Sequence, residues 1–251
     1  MIYSKFAQFY DDLFDVSLYD RWLTYTTNVA KTHHQLATAT KILDLACGTG
    51  RLAVKLADAN YQVTGADLST DMLTMADQRA TKAGVSIPFI QTDMRDLEGL
   101  DQYDIITCFD DSLNYLVTSA DLRQTFNSVN QHLNSGGHFL FDVITPYQIK
   151  VVYPGFMYNY RDETAAFMWT SYEGDFAPVS VEHDLSFFLY NAQKDAYDAY
   201  SELHRERAYD RDELTAALAV NGFKRPIFTT DFGEQPYVER VKRWFVDVVK
   251  E

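Results

Sequence analysis

The chain has 251 residues, enough for one large α/β domain with a continuous core. Hydrophobic residues make up 47% and charged residues 23%, ordinary globular usage that excludes the disordered and fibrous classes. The formal charge of −14 at pH 7 repels polyphosphates and argues against nucleic acid as a partner.

No apolar run is long enough to span a bilayer, and Met1-Ile2-Tyr3-Ser4-Lys5 lacks the layout of a signal peptide. The expectation is a cytoplasmic protein with no membrane association. Cys47 and Cys108 sit in apolar contexts without metal or redox spacing, and the histidines are scattered, so no disulfide and no metal site is expected. The clusters Arg205, Arg207, Arg211 and Arg240, Lys242, Arg243 are diluted by acids and read as solvated faces.

In chain order, Phe6, Phe9, Tyr10 and Leu13 follow helical spacing, and Trp22, Leu23, Tyr25 and Val29 fall in a second helical stretch. From Lys41 short apolar runs alternate with amphipathic segments. Strands are expected at Ile42–Ala46, Tyr61–Ala66, Ile87–Gln91, Tyr103–Phe109 and His138–Ile144, with helices at Arg51–Ala59, Ser69–Lys82 and Ser119–Leu133. Ser69 stands as an N-cap, and Asn134-Ser135-Gly136-Gly137 as a helix stop. This alternation predicts a doubly wound, Rossmann-like parallel sheet whose ligands bind outside the carboxyl ends of the strands. After Thr145-Pro146 the period changes to two, as in Val181, His183, Leu185 and Phe187. Residues 147–206 therefore read as an antiparallel β insertion after the fifth strand, with strands at 165–173, 179–189 and 196–208. A helix from Tyr209 and two final strands, at 223–230 and 241–249, complete the chain.

The chemistry gathers at three strand ends. Asp44-Leu45-Ala46-Cys47-Gly48-Thr49-Gly50 leaves the first strand and enters a helix, where glycines let backbone approach a ligand. Gly48-x-Gly50 with Asp67 after the second strand also fits a dinucleotide fingerprint. Asp44 separates the two readings. A carboxylate beside the helix N-terminus would repel a pyrophosphate but attract a ligand carrying an ammonium and a sulfonium. Asp93, after the third strand, can accept an adenine amino proton while Met94 covers the ring. Cys47 reads as a small side chain beneath the loop rather than a nucleophile.

On these residues, and on Tyr10-Asp11-Asp12-Leu13, the chain resembles the class I S-adenosylmethionine (SAM)-dependent methyltransferases, among them small bacterial enzymes that open with Tyr-Asp-x-Leu. The resemblance covers most of the chain and implies a seven-stranded, mostly parallel sheet with the last-formed strand antiparallel. It implies a single domain over residues 1–251, in which residues 1–40 form a helical cap that closes over bound SAM, with Tyr10 and Trp22 as contacts. Ala46, Gly48 and Gly50 would lie beside the methionine portion, Asp67 and Leu68 at the ribose, and Asp93-Met94 at the adenine. Asp110, after the fourth strand, is a candidate either for positioning SAM or acceptor or for general base. Asn114 and Tyr115 follow it as substrate candidates, joined by Trp169 and Tyr172 from the insertion, whose aromatics also fit plain sheet packing or a dimer contact. The acceptor is expected to be a small molecule. RNA or protein methylation, nicotinamide-dependent oxidoreduction and a SAM-binding scaffold stay open as alternatives.

Overall fold

The computed structural model describes residues 16–32 and 37–251; the stretch from Phe6 to Leu13, with Tyr10, lies outside them. Helix α1 (Ser17–Thr32) buries Trp22, Tyr25, Thr26 and Ala30, a stripe at three- and four-residue spacing. Strands β1 (Lys41–Leu45), β2 (Gln62–Asp67), β3 (Phe89–Gln91), β4 (Tyr103–Cys108) and β5 (Leu133–Ile144) are interleaved with helices α2 (Arg51–Asp58), α3 (Thr70–Ala83) and α4 (Ser119–His132), a loop joining β3 to β4. No described helix is long and apolar enough to cross a membrane.

These five strands run parallel, in the order β3-β2-β1-β4-β5. The sheet continues through β12 (Arg243–Val249), which is antiparallel to β5, then β10 (Ile227–Thr230) and the two-residue β11 (Gln235–Pro236). The expected seven strands are thus present with a short eighth at the edge. Successive residues enter opposite layers. Leu43, Phe139 and Phe141 pack with Phe126 of α4 and Leu218 of α5 (Arg211–Ala219). Ile42 and Leu140 pack with Trp22 of α1 and Leu52 and Leu56 of α2. Burial on both faces is why these strands read as unbroken apolar runs.

The boundary between α4 and β5 differs from the sequence reading. Strand β5 begins at Leu133, so Asn134 to Gly137 lie inside it. Gly136, at φ 75°, falls where the pairing with β4 passes from Tyr103–Leu133 to Ile105–His138, so the residues that stop the helix form an irregularity in the ladder.

A second, four-stranded antiparallel sheet follows β5 in the order β6 (Met157–Arg161), β7 (Ala165–Glu173), β8 (Ser180–Asn191) and β9 (Ala196–Arg207). All five residues of β6 are exposed, and this strand was not among those expected from the sequence. The inner face of this sheet sets Phe167, Leu185 and Phe187 against Met72 and Met75 of α3.

Candidate active site

Parallel strands deliver their carboxyl ends to one edge, and the acids singled out in the sequence meet there. Asp44 on β1 is 3% exposed. Its Oδ1 accepts from Thr107 Oγ1 of β4 at 2.9 Å, while buried Oδ2 has no hydrogen-bond partner. Burial pushes the carboxyl up to about 7, opposed by the Thr107 hydrogen bond and the nearby Ala53 backbone N–H and reinforced by Asp67. A buried acceptor without a donor is costly, and a cationic or donor group of a ligand would offset that cost.

Beyond β1 the chain turns through Ala46 (φ 57°), Gly48 (φ 53°) and Gly50 (φ 75°) into α2. A Cβ on Gly50 would lie 2.8 Å from the Ala76 Cβ, whereas one on Gly48 would meet nothing within 4 Å. Gly50, expected beside the cofactor, instead stands behind the wall, where it lets α2 approach α3. Gly48 leaves an open cradle at the wall itself. Its N–H donates to Asp67 Oδ2 at 2.8 Å, and the Ser69 N–H donates to Asp67 Oδ1 at 2.8 Å. Burial raises the Asp67 carboxyl, and these N–H groups partly oppose the rise. Leu68 follows, with its side chain exposed toward the same cavity. Burial also pushes the Cys47 thiol up, so it stays protonated and is no nucleophile.

Asp93 and Met94 reach the cavity wall after β3. The Asp93 carboxylate is forked by Arg95, with Nε 3.0 Å from Oδ1 and Nη2 2.6 Å from Oδ2. Those bonds hold it below the usual carboxylate range. Arg95 Nη1 also donates to Asp121 Oδ1 at 2.9 Å, so its charge is spent locally.

Asp110 and Asp111 follow β4 with φ of 58° and 52°, a left-handed pair that costs roughly 1–2 kcal/mol per residue. Asp142, fully buried on β5, holds the turn by accepting from the Asp111 N–H at 2.8 Å. It also accepts from Trp22 Nε1 at 2.7 Å and Arg243 Nη1 at 2.6 Å. Arg243 Nη2 donates to Asp111 Oδ1 at 2.7 Å and lies 3.9 Å from Asp110 Oδ1. Arg243 therefore belongs to the site rather than to a solvated face. Arg207, 9% exposed and forked on Glu213, likewise leaves its expected place in solvent. Trp22 stacks on Phe109 with ring centroids 6.0 Å apart and lines the cavity beside Tyr19.

The substrate candidates divide. Asn114 is fully buried, its amide donating to the Ile144 and Arg207 carbonyls and its oxygen accepting from the Ile144 N–H. That pattern makes it a structural tie rather than a ligand contact. Tyr115 lines the cavity, and its hydroxyl shares a hydrogen bond with His204 Nδ1 at 2.8 Å. Trp169 faces inward on β7. Tyr172, three residues on, stands on the opposite face and is 54% exposed, because strand side chains alternate. Asp142, Arg243, His183 and Glu206 were not among the candidates. The available signal for Asp142 was an acid inside the apolar run Phe139-Leu140-Phe141-Asp142-Val143.

These residues enclose a cavity of about 450 Å³, bounded by Asp44, Gly48, Asp67, Asp93, Met94 and Asp110, within the size range of small-ligand pockets. The unpartnered Asp44 oxygen and the open place at Gly48 fit a ligand that brings a cation against the first loop.

A family model described as a methyltransferase domain matches residues 42–137. A protein of Geobacillus sp. (strain WCH70), assigned to the methyltransferases, is 37% identical over 245 residues, 98% of each chain. The crystal structure of a SAM-dependent methyltransferase from Clostridium acetobutylicum ATCC 824 matches with a TM-score of 0.86 at 28% identity, covering 99% of this chain and 98% of that one. The glycine/sarcosine N-methyltransferase of Halorhodospira halochloris is 30% identical over 156 residues, 61% of this chain and 55% of its own.

Proposed function

Because the chain belongs to the class I SAM-dependent methyltransferases, we propose that it transfers the methyl group of SAM to a small molecule held at the carboxyl edge of the parallel sheet. One observation carries the choice of acceptor class. Among the described residues lining the cavity the cations are few, and Arg95, at the adenine end, is already committed to Asp93 and Asp121. A polyanion would find no counter-charge there. Met72 both lines the cavity and packs under the second sheet, so that sheet flanks the cavity.

In this reading Asp44 faces the cationic methionine portion across the Gly48 cradle, with Ala46 alongside. Asp67 accepts from the ribose hydroxyls, each of its oxygens keeping a second lone pair after the backbone bonds. Leu68 covers the ribose. Asp93 accepts from the adenine amino group and Met94 packs on its ring. Trp22, on α1, closes one side of the site. Residues 147–206 form the acceptor-side insertion of a single domain, with Trp169 and Tyr115 toward the acceptor. SAM supplies an electrophilic methyl group on a sulfonium; the chain contributes alignment and exclusion of water. Asp110, in the left-handed turn that Asp142 braces through the Asp111 N–H, positions the reacting groups.

The test is incubation with SAM carrying an isotopically labelled methyl group and, separately, a metabolite extract, total RNA and a protein lysate. Label should enter the metabolite fraction. Incorporation confined to RNA or protein rejects the reading.

A further inference from the structure

Resting on that reading, we propose that Glu206, His183 and Tyr115 form the acceptor subsite, and that it takes a small primary or secondary amine, bound as its ammonium, for N-methylation. Glu206 on β9 and His183 on β8 are 4% and 3% exposed and face inward from the second sheet. His183 Nε2 lies 3.7 Å from Glu206 Oε1, too far for a hydrogen bond. His183 Nε2 and Glu206 Oε2 are both buried without a hydrogen-bond partner. Two adjacent unsatisfied polar atoms are expensive in a native interior and point to a ligand that satisfies them.

The imidazole is aimed rather than loose. Its Nδ1 shares a hydrogen bond with Ser171 Oγ at 2.8 Å, and Tyr153 and Trp169 pack against the ring at 4.7 and 5.3 Å between centroids. Tyr115 joins this wall to the cavity already described. It lines the cavity, and its hydroxyl is hydrogen-bonded both to His204 and to the Glu206 carboxyl. Glu206 is also within electrostatic reach of Asp110 and Asp111, at the end of β4.

Charge selects the ligand. The carboxyls of Asp110, Asp111, Asp142 and Glu206 surround one guanidinium, that of Arg243. An ammonium makes up the deficit, whereas the oxyanion formed on the way to an O-methyl product would be repelled. Burial and nearby Asp111 push Glu206 up, so it ionises only when an ammonium stands beside it, and burial holds His183 down at about 4, so the imidazole is neutral near pH 7 and can accept from an N–H donor. One nitrogen carrying two N–H groups can donate to Glu206 and to His183 Nε2 together.

The step balances. The ammonium passes a proton to the Glu206 carboxylate, leaving a nitrogen lone pair. That nitrogen bonds to the methyl carbon as the carbon–sulfur bond breaks, and the bonding electrons remain on sulfur as a neutral thioether. The product departs as the methylated ammonium, and Glu206 returns its proton to solvent.

The experiment offers the full chain and SAM four amines, namely glycine, sarcosine, ethanolamine and glucosamine, beside the hydroxyl counterparts glycolate, ethylene glycol and glucose, with methylated product read by mass spectrometry. An amine should be methylated in preference to its counterpart. Glu206→Gln should raise the KM for that amine about tenfold or more, the loss of a charge-assisted hydrogen bond, with SAM affinity unchanged by calorimetry. If Glu206→Gln fails to fold, the wild-type preference and His183→Gln decide the matter. Equal methylation of the hydroxyl counterparts, no methylation of any amine, or an unchanged KM in a folded variant overturns the proposal. Methylation of a hydroxylic small molecule leaves the small-molecule reading standing. Label found only in RNA or protein removes both.

Discussion

Asp44 bears its charge at an energetic cost that a ligand can reverse. In the folded chain burial lifts its carboxyl to about 7, and unfolding returns it to the ordinary, lower value. The folded state therefore binds this proton more tightly, and the group's contribution to stability falls as pH rises from about 4 to about 7. A cation beside Oδ2 favours the ionised form. SAM affinity should accordingly strengthen between pH 6 and 8, with proton release on binding, and Asp44→Asn should flatten the dependence. Calorimetry in buffers of differing ionisation enthalpy measures this; binding without proton release would count against it. Asp67 carries a second prediction, because it both faces the cavity and receives the Gly48 and Ser69 N–H groups. Asp67→Ala should weaken SAM binding by about 2–4 kcal/mol and lower the stability of the ligand-free chain by about 1–2 kcal/mol. An affinity loss no greater than the stability loss would make Asp67 a brace for the loop and nothing more.

At the scale of elements, β7 offers a comparison within one strand. Trp169 faces inward, its ring 5.3 Å from His183, while Tyr172 stands on the outer face. Trp169→Ala should raise the acceptor KM or lower kcat with SAM affinity nearly intact, and Tyr172→Ala should leave both within measurement error. The reverse ranking in steady-state kinetics would place the acceptor outside the second sheet. The strand pattern Val181, His183, Leu185, Phe187 already showed that these side chains share a face. It did not show that Ser171 and Glu206, on neighbouring strands, come to His183, because register between strands is set by the pairing itself. β6 is exposed along its length, and its five residues are too few for the alternation of Tyr158 and Tyr160 with polar neighbours to mark a strand.

For the whole molecule, the charge of −14 acts over distances that single contacts do not. A cationic acceptor should be drawn toward the protein at low ionic strength and lose that attraction as salt screens it. For an amine acceptor kcat/KM should fall from low to high salt while kcat holds, and an uncharged acceptor should show neither change. A kcat/KM for the amine that is indifferent to salt would confine recognition to local contacts.

The α/β alternation, the strand-end acids Asp44, Asp67 and Asp93, and the loop through Gly48 were legible in the sequence, because they depend on local period and on positions a few residues apart. So was the family, through those same residues. What tertiary structure alone decided is how groups distant in the chain share space. Arg243, among basic neighbours in sequence, turns onto Asp111 and Asp142, more than a hundred residues earlier. Gly50 yields to packing against Ala76, and Asn114 spends its amide on backbone. Glu206 and His183 read as ordinary members of a strand until the sheet closes over them and withdraws the water that would have satisfied them. Burial sets the cost of an unpaired polar atom, and no sequence window contains burial.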